Sequence, residues 1–185
     1  MLKKLLKLYF KITGWKIVND FPSDIKKGIL LFAPHTSYSD FKIGRITFYI
    51  YGTNIKFLIK KEVFVFPFNF LIKMLGGIPV DRKNNKNLTE KIAEKLIKSD
   101  DLIIMIAPEG TRKPAKRWRK GFYQMALKAN VPIILSFIDY KKKECGILDI
   151  IYPTGDYEKD LEKIISYYKD ISPKYPQNFI LPEIK

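Results

Sequence analysis

The chain has one cysteine, one histidine and no long apolar run, and each scarcity excludes a class of protein. Cys145 has no partner for an internal disulfide and cannot build a cysteine-based zinc site, so the chain suits a reducing compartment. No apolar run approaches the roughly 18 residues of a spanning helix, because Lys73 and Pro108 interrupt the candidates. With 46% hydrophobic residues among 185, we expect one domain with a real core.

Positive charge is what the sequence has in excess. Lysine and arginine number 34 against 19 aspartates and glutamates, which gives a formal net charge of +15. Such a charge attracts polyanions, anionic membrane surfaces and anionic small molecules. Charge alone does not choose among these partners.

The N-terminal residues 1–16 predict a basic amphipathic helix. At helical spacing the lysines of residues 2–12 fall on an arc of about 100°, and apolar residues occupy the rest. Such a helix can lie in the headgroup zone of an anionic membrane, or it can pack on the core of the domain, and the pattern leaves both open. It lacks the uncharged core and cleavage site of a secretion signal. We therefore divide the chain into this predicted interface helix and one domain, residues 17–185.

Within that domain, strand-like and helix-like segments alternate. This alternation predicts an α/β fold with a mainly parallel or mixed central sheet flanked by helices. Short apolar runs predict strands at 28–34, 55–61, 102–108, 131–140 and 147–153, with a short extended piece in 76–82. Longer patterned runs predict helices at 40–52, 66–76, 87–100, 121–130 and 156–170. The helix at 87–100 is the clearest of these, since Asn87 and Glu90, three positions later, resemble a capping box.

Three polar motifs each follow a predicted strand directly. They are "HTSYSD" at 35–40, "DR" at 81–82 and "EGTR" at 109–112. In open α/β sheets, ligands gather at the carboxyl ends of the strands. We therefore expect the three motifs to meet at one edge of the sheet.

His35, the sole histidine, is a candidate general base. A neutral imidazole accepts a proton near neutral pH and can return it later in the cycle. Asp40 would orient the ring if Ser37 or Ser39 caps a helix that carries Asp40, because the chain can then fold back. The alternative is that Asp40 only caps a helix and His35 is an ordinary loop residue.

The "EGTR" motif combines groups that suit an anionic ligand. Gly110 permits a tight turn, Thr111 offers a hydroxyl and Arg112 offers a planar fork that fits phosphate oxygens. Glu109 would hold the arginine or bind an acceptor hydroxyl. Further candidate cations are Arg82, Lys60 and Lys61.

Five sequence blocks occur in the order and approximate spacing of a known family. They are "HTSYSD", "KKEVFVFPF", "GGIPVDR", "APEGTR" and "VPIIL". From about Leu30 to Leu135 the chain resembles the glycerophospholipid acyltransferases, whose bacterial members include lysophosphatidic acid acyltransferase. One difference is Pro34, which stands where the family often has asparagine.

The resemblance implies an O-acyltransferase of phospholipid biosynthesis. His35 would deprotonate a hydroxyl of lysophosphatidic acid or a related lipid acceptor as that hydroxyl attacks the thioester of acyl-CoA or acyl carrier protein. Asp40 would orient His35, with no metal and no other cofactor. By the same resemblance, Arg82 and the block Glu109, Gly110, Thr111 and Arg112 would bind the acceptor, with Arg112 and Lys60 or Lys61 near its phosphate.

The resemblance also bears on location. Family members sit on the membrane through N-terminal helices, which favours the interface interpretation of residues 2–12. We expect a peripheral or monotopic protein at the cytoplasmic face, with an anionic membrane surface as partner and no nucleic acid. The basic loop 113–120 is either a rim of the site or a solvated loop.

Other classes compete with this interpretation. A nucleic-acid-binding protein would explain the charge and the aromatic residues Trp118, Phe122 and Tyr123 among basic ones. A hydrolase would use Ser37 or Ser39 as nucleophile, but no G-x-S-x-G elbow is present. A metal hydrolase is disfavoured, because one histidine and scattered carboxylates show no recognisable metal-ligand spacing. Acyl transfer to a non-phospholipid acceptor remains an alternative. A catalytically dead membrane-binding domain is disfavoured because His35 and Asp40 are both present.

Overall fold

Seven strands form one mixed sheet in the computed structural model, which describes residues 1–81 and 87–183. The strands are β1 (Lys16–Val18), β2 (Lys27–Phe32), β3 (Ile55–Lys60), β4 (Gly77–Val80), β5 (Leu102–Ile106), β6 (Ile133–Asp139) and β7 (Glu144–Ile151). Their order across the sheet is β1-β7-β6-β2-β5-β3-β4. Neighbouring strands are parallel except β6 and β7, which form an antiparallel hairpin. The predicted α/β fold is confirmed.

Helices cover both faces of this sheet. They are α1 (Leu2–Thr13), α2 (Tyr38–Tyr51), α3 (Phe68–Met74), α4 (Leu88–Lys98), α5 (Gly121–Ala129) and α6 (Tyr157–Ser166). Two short 3-10 turns, Lys61–Val63 and Pro176–Asn178, complete the described elements. None of the helices in the described part of the chain is long and apolar enough to cross a bilayer.

Three local expectations need correction. Strand β1 was not predicted, because three residues carry too little periodicity to register as a strand. Asn87 does precede α4, but its side chain makes no capping hydrogen bond, so the predicted capping box is wrong. The predicted helix 66–76 is shortened to α3, since a 3-10 turn and Pro67 occupy the chain before it.

The helices divide into two layers. On β2, Leu30 and Phe32 face one core cluster, which includes Phe10 of α1 and Phe48 of α2. The intervening residues of β2 face the other cluster, formed with α4, α5 and α6. The alternation follows from the period of two along a strand.

Helix α3 belongs to the layer of α1 and α2. Phe57 of β3 packs on Phe41 of α2, with ring centroids 5.1 Å apart, so this face of β3 points toward α2. Ile59, two residues on, shares that face. A Cβ built on Gly77 would lie 3.0 Å from Ile59 and 2.7 Å from Ile72 of α3, which places α3 on the same side. A right-handed crossover from β3 to β4 gives the same result.

Helix α1 presents three different stripes. Phe10 is buried and Leu6 is half-buried, so one stripe packs on the domain. A second stripe carries the lysines, and a third exposes Leu2, Leu5, Leu8 and Ile12. Both interpretations of this helix therefore find residues to support them. The division at residue 16 and the membrane contact remain predictions.

Candidate active site

The strand registers bring the polar motifs to one level of the sheet. The pairs Leu31–Ile106, Phe57–Met105 and Lys60–Val80 fix three neighbouring strand pairs. Counting along these registers, the residues at the common level are Ala33, Pro108, Lys60 and Val80. The three motifs that begin after β2, β4 and β5 therefore leave the sheet at the same carboxyl edge, as their positions in the sequence predicted. Lys60, at the end of β3, lies at this level as well.

His35 and Asp40 form a hydrogen-bonded pair at this edge. His35 Nδ1 lies 3.1 Å from Asp40 Oδ2, and the histidine side chain is 21% exposed while the aspartate is 1% exposed. The same carboxylate oxygen accepts hydrogen bonds from the backbone N–H groups of Thr36, at 2.9 Å, and Ser37, at 2.8 Å. The loop between strand and helix thus turns Asp40 back toward the imidazole.

Asp40 has two roles at once. Ser37 is the N-cap of α2 and Asp40 is its third residue, so the two side chains form a capping box. The expectation that Ser37 or Ser39 caps the helix is met by Ser37. The two sequence interpretations of Asp40, helix cap or partner of His35, were therefore not alternatives.

Tyr140 completes the support of Asp40, and sequence reasoning missed it. Its hydroxyl donates to Asp40 Oδ1 at 2.8 Å, and its ring meets the edge of Trp15 with centroids 5.3 Å apart. Burial, and next the bond to Asp40, raise the pKa of Tyr140 above its usual value, so the hydroxyl stays protonated and remains a donor. Its only signal in the sequence is a polar residue just after β6.

Glu109 links the "EGTR" motif to the histidine backbone. Its Oε1 accepts a hydrogen bond from the His35 N–H at 3.0 Å. The carboxyl group is buried, and burial raises its pKa to about 7. Its other oxygen has no hydrogen-bond partner among the described residues. The partner in the structure is thus the main chain of His35 rather than an arginine, and binding of an acceptor hydroxyl by Glu109 remains a prediction.

The rest of the "EGTR" motif makes a cationic rim. The Arg112 guanidinium lies 3.6 Å from the ring centroid of Tyr38, the first residue of α2. Thr111 Oγ1 accepts from the Lys113 N–H at 3.2 Å and closes the turn. Gly110 has a φ of 65°, and a Cβ there would lie 2.5 Å from Nε of Arg119. Glycine therefore lets Arg119 cross the turn, which brings the basic loop 113–120 to the rim.

The sequence suggested Arg119 only as one of the basic residues of loop 113–120, and not as a site residue of its own. Its backbone N–H donates to the Pro108 carbonyl at 2.9 Å, so the end of the loop is held directly beside the end of β5. An arginine seven residues past the "EGTR" arginine gave no spacing signal by itself.

The predicted cations Lys60 and Lys61 stand farther away. Lys60 ends β3 and Lys61 opens the 3-10 turn, and both are exposed. Strand β5 separates β3 from β2, so the two lysines lie about 10 Å across the sheet from the end of β2. Arg82 lies outside the described residues, and its role remains a prediction.

The structure disfavours two of the alternatives, a nucleic-acid-binding protein and a serine hydrolase, because the residues proposed for them are buried or already hydrogen-bonded. The side chains of Trp118, Phe122 and Tyr123 are buried, so these aromatic rings cannot stack on bases. Ser37 is buried and caps α2, and Ser39 Oγ accepts from Lys174 Nζ at 2.6 Å. Neither serine is presented as a nucleophile. Within residues 1–81 and 87–183, no group of three or more His, Cys, Asp or Glu side chains is placed to hold a metal ion.

Comparison with known proteins defines the class to which this fold and site belong. A family model described as acyltransferase matches residues 11–136, which is more than half of the chain. The chain therefore belongs to the acyltransferase family, and the resemblance to acyltransferases of glycerophospholipids is confirmed.

A particular solved structure has a similar fold. It is the crystal structure of the 1-acyl-sn-glycerophosphate (LPA) acyltransferase, PlsC, from Thermotoga maritima. The match has a TM-score of 0.60 and 21% sequence identity, and it covers 87% of this chain and 72% of that chain. Among curated proteins, none matches this sequence.

Proposed function

We propose that the enzyme transfers a fatty acyl chain from acyl-CoA or acyl carrier protein to a hydroxyl of lysophosphatidic acid or a related lipid. The observation that carries this proposal is the His35–Asp40 pair, at 3.1 Å, on the carboxyl edge of an acyltransferase-family sheet. The reaction takes place on the cytoplasmic face of a membrane, to which the protein binds peripherally.

His35 acts as the general base. With Nδ1 held by Asp40, the proton of the neutral ring is on Nδ1, and Nε2 is the acceptor nitrogen. Nε2 takes the proton of the acceptor hydroxyl as its oxygen attacks the thioester carbonyl. A carbon–oxygen bond forms, the carbon–sulfur bond breaks, and the imidazolium returns the proton to the leaving thiolate. The products are an ester and a free thiol, with no covalent acyl-enzyme.

Asp40 keeps the imidazole in the productive orientation and stabilises the imidazolium. It is held in turn by two backbone N–H groups and by the Tyr140 hydroxyl, so it has little freedom to leave the ring. Glu109 fixes the main chain of His35 from the other side. We therefore assign Tyr140 and Glu109 as positioning residues rather than catalytic ones.

Positive side chains at the rim bind the anionic groups of the substrates. Arg112 and Arg119 lie at the turn beside the histidine, where an acceptor phosphate would sit close to its reacting hydroxyl. Lys60 and Lys61 are farther along the edge, as suits the phosphates of the donor or the far side of the acceptor. By family resemblance, Arg82 joins this group.

Release of free thiol tests this function. Purified protein in detergent is given acyl-CoA or acyl carrier protein with a panel of acceptors, among them lysophosphatidic acid, glycerol 3-phosphate, lysophosphatidylcholine and a fatty alcohol. We expect acceptor-dependent thiol release that is fastest with a phosphate monoester. Equal release with the fatty alcohol would refute the assigned role of the cationic rim.

A further inference from the structure

The segment between β3 and β4 exposes an unusual concentration of large apolar side chains. We call residues 63–74 the apolar segment; it contains the end of the 3-10 turn and all of α3. Its exposed apolar residues are Val63, Val65, Phe66, Phe68, Phe70, Leu71 and Met74. Phe66 is 89% exposed and Phe70 is 73% exposed, and no residue of α3 is buried. The surface of a monomeric soluble protein rarely exposes so many neighbouring apolar side chains, unless they bind another protein, a ligand or a membrane.

This segment is one part of an asymmetric surface. Of the twenty exposed large apolar side chains in the described residues, fifteen fall within residues 1–74. Those fifteen lie on or beside α1, α2 and the apolar segment, which cover the same face of the sheet. The exposed stripe of α1 and the apolar segment therefore belong to one layer.

The charges of this layer identify the partner. Helices α1, α2 and α3 carry seven lysines and arginines, and their only acidic residue is Asp40, which is buried. Lys60, Lys61 and Lys73 flank or interrupt the apolar segment and are exposed, and the acidic residue beside them is Glu62 of the 3-10 turn. Apolar side chains rimmed by lysine, on a chain of net charge +15, fit the interface of an anionic bilayer. A protein partner would need acidic groups placed to match these lysines.

We propose that the apolar segment is a second membrane-contact element, which inserts Phe66 and Phe70 into an anionic phospholipid surface beside the active site. It begins three residues after Lys60, whose strand ends level with the strand that leads to His35. A lipid acceptor could then reach the base while its acyl chain stays in the membrane. This last consequence rests on the proposed function, whereas membrane insertion of the segment does not.

Vesicle co-sedimentation tests the insertion. The full chain carrying Phe66→Ser and Phe70→Ser is compared with wild type on vesicles of phosphatidylglycerol and phosphatidylcholine. The matched control carries Ile97→Ser and Leu127→Ser, two exposed apolar residues of the opposite layer. We expect the partition coefficient of the first variant to fall roughly 10- to 100-fold, since each phenylalanine loses its apolar burial. The control should stay within about twofold of wild type. Equal binding by the two variants would overturn the proposal.

A spin label gives an independent measure of depth. In a Cys145→Ala background, a nitroxide is attached at Phe66→Cys or, as control, at Ile97→Cys. On vesicles we expect the label at 66 to be shielded from an aqueous relaxation agent and the label at 97 to stay accessible. Equal accessibility at both positions would contradict insertion. A shift to a lower mass for the double Phe variant in lipid-free solution would assign the segment to a second copy of the chain and would also overturn the proposal.

Activity separates this proposal from the proposed function. With a short-chain lysolipid that is monomeric in water, the Phe66→Ser and Phe70→Ser variant should release thiol at a rate close to that of wild type. With acceptor embedded in vesicles it should be slower by about the loss in binding. Absence of thiol release from wild type in both assays would reject the proposed function and leave the binding result standing.

Discussion

The two helical layers of this molecule have opposite surfaces. Helices α4, α5 and α6 carry five acidic and six basic residues, and pairs such as Lys98–Glu94 and Lys128–Glu90 balance them. Helices α1, α2 and α3 carry seven basic residues and no exposed acid, beside most of the exposed apolar side chains. The first pattern is that of a solvated face. The second is that of a face which meets an anionic, partly apolar phase.

The candidate active site lies where the two layers meet. The loop that holds His35 leads into α2, on the basic and apolar side. The turn that holds Glu109 and Arg112 leads through the basic loop into α5, on the charge-balanced side. Tyr140, packed against Trp15 just after α1, connects the N-terminal helix to the aspartate of the pair. The comparison therefore predicts that changes in the first layer alter membrane binding, and that changes at the junction alter turnover.

The largest effect is expected at the junction itself. Replacing His35 by Ala removes the proposed base, and we expect kcat for acyl transfer to fall about 10³-fold, within the range usual for loss of a general base. Membrane binding and the thermal midpoint should change little, because the side chain is partly exposed and lies in a loop. Thiol release and vesicle binding measured on the same preparation check both parts. If this variant kept the turnover rate of wild type, general-base catalysis by His35 would be refuted.

Reversing the charge of two lysines in one helical layer or the other tests whether the two layers differ in membrane binding. Lys3→Glu with Lys7→Glu in α1 should weaken binding to phosphatidylglycerol vesicles about 30-fold or more, since each lysine near an anionic surface contributes about 1 kcal/mol. Lys95→Glu with Lys163→Glu makes the same change in net charge on α4 and α6. Co-sedimentation at matched salt compares the two pairs. Equal losses would mean that net charge, rather than the layer, governs binding.

Tyr140→Phe tests the connection between α1 and the His35–Asp40 pair. The ring keeps its packing on Trp15, but Asp40 Oδ1 loses its hydroxyl donor in a buried place. We expect kcat to fall about tenfold with little change in KM for the donor, as expected when a hydrogen bond worth about 1–2 kcal/mol holds a reacting group in place. The acid limb of the pH–rate profile should also move. A loss of thermal stability with kcat and profile unchanged would reduce Tyr140 to a structural residue.

Glu109→Gln tests folding stability rather than turnover or membrane binding. Because burial raises the pKa of Glu109 from 4.5 to about 7, the folded state favours the neutral acid. Its contribution to stability is present below pH about 4.5 and is lost as the pH rises to about 7. Glutamine does not titrate, so the variant does not lose this contribution as the pH rises, whereas the wild type does. The free energy of unfolding of the variant, relative to that of the wild type, should therefore increase by about 2–3 kcal/mol between pH 4.5 and pH 7.5. Urea titrations across that range measure it, and a constant difference would contradict the assignment.

The contacts of the site that could be predicted from the sequence are those between residues close together in the chain. His35 and Asp40 are five residues apart, and a strand, a loop and a helix cap suffice to join them. Tyr140 is 100 residues from Asp40 and Arg119 reaches Gly110 across a loop, so only the folded chain shows these contacts. No periodicity encodes them.

Burial was harder to predict than secondary structure. Trp118 stands among basic residues in the sequence, as in an exposed nucleic-acid patch, yet it packs against Tyr168 in the core. The residues 66–76 were predicted as a helix from their apolar character, which normally indicates burial, yet α3 is exposed. In both cases tertiary packing, which a local pattern does not specify, decides whether a side chain meets solvent.

The most direct test of the central claim, acyl transfer to a hydroxyl, is the stoichiometry of ester formed to thiol released. Wild-type protein on anionic vesicles that contain a lysolipid acceptor is given acyl-CoA or acyl carrier protein. Mass spectrometry counts the ester, and a thiol reagent counts the released thiol. We expect one ester for each thiol and almost no thiol release without acceptor. Thiol release that proceeds equally without acceptor and yields free fatty acid would show that the protein is a hydrolase rather than an acyltransferase.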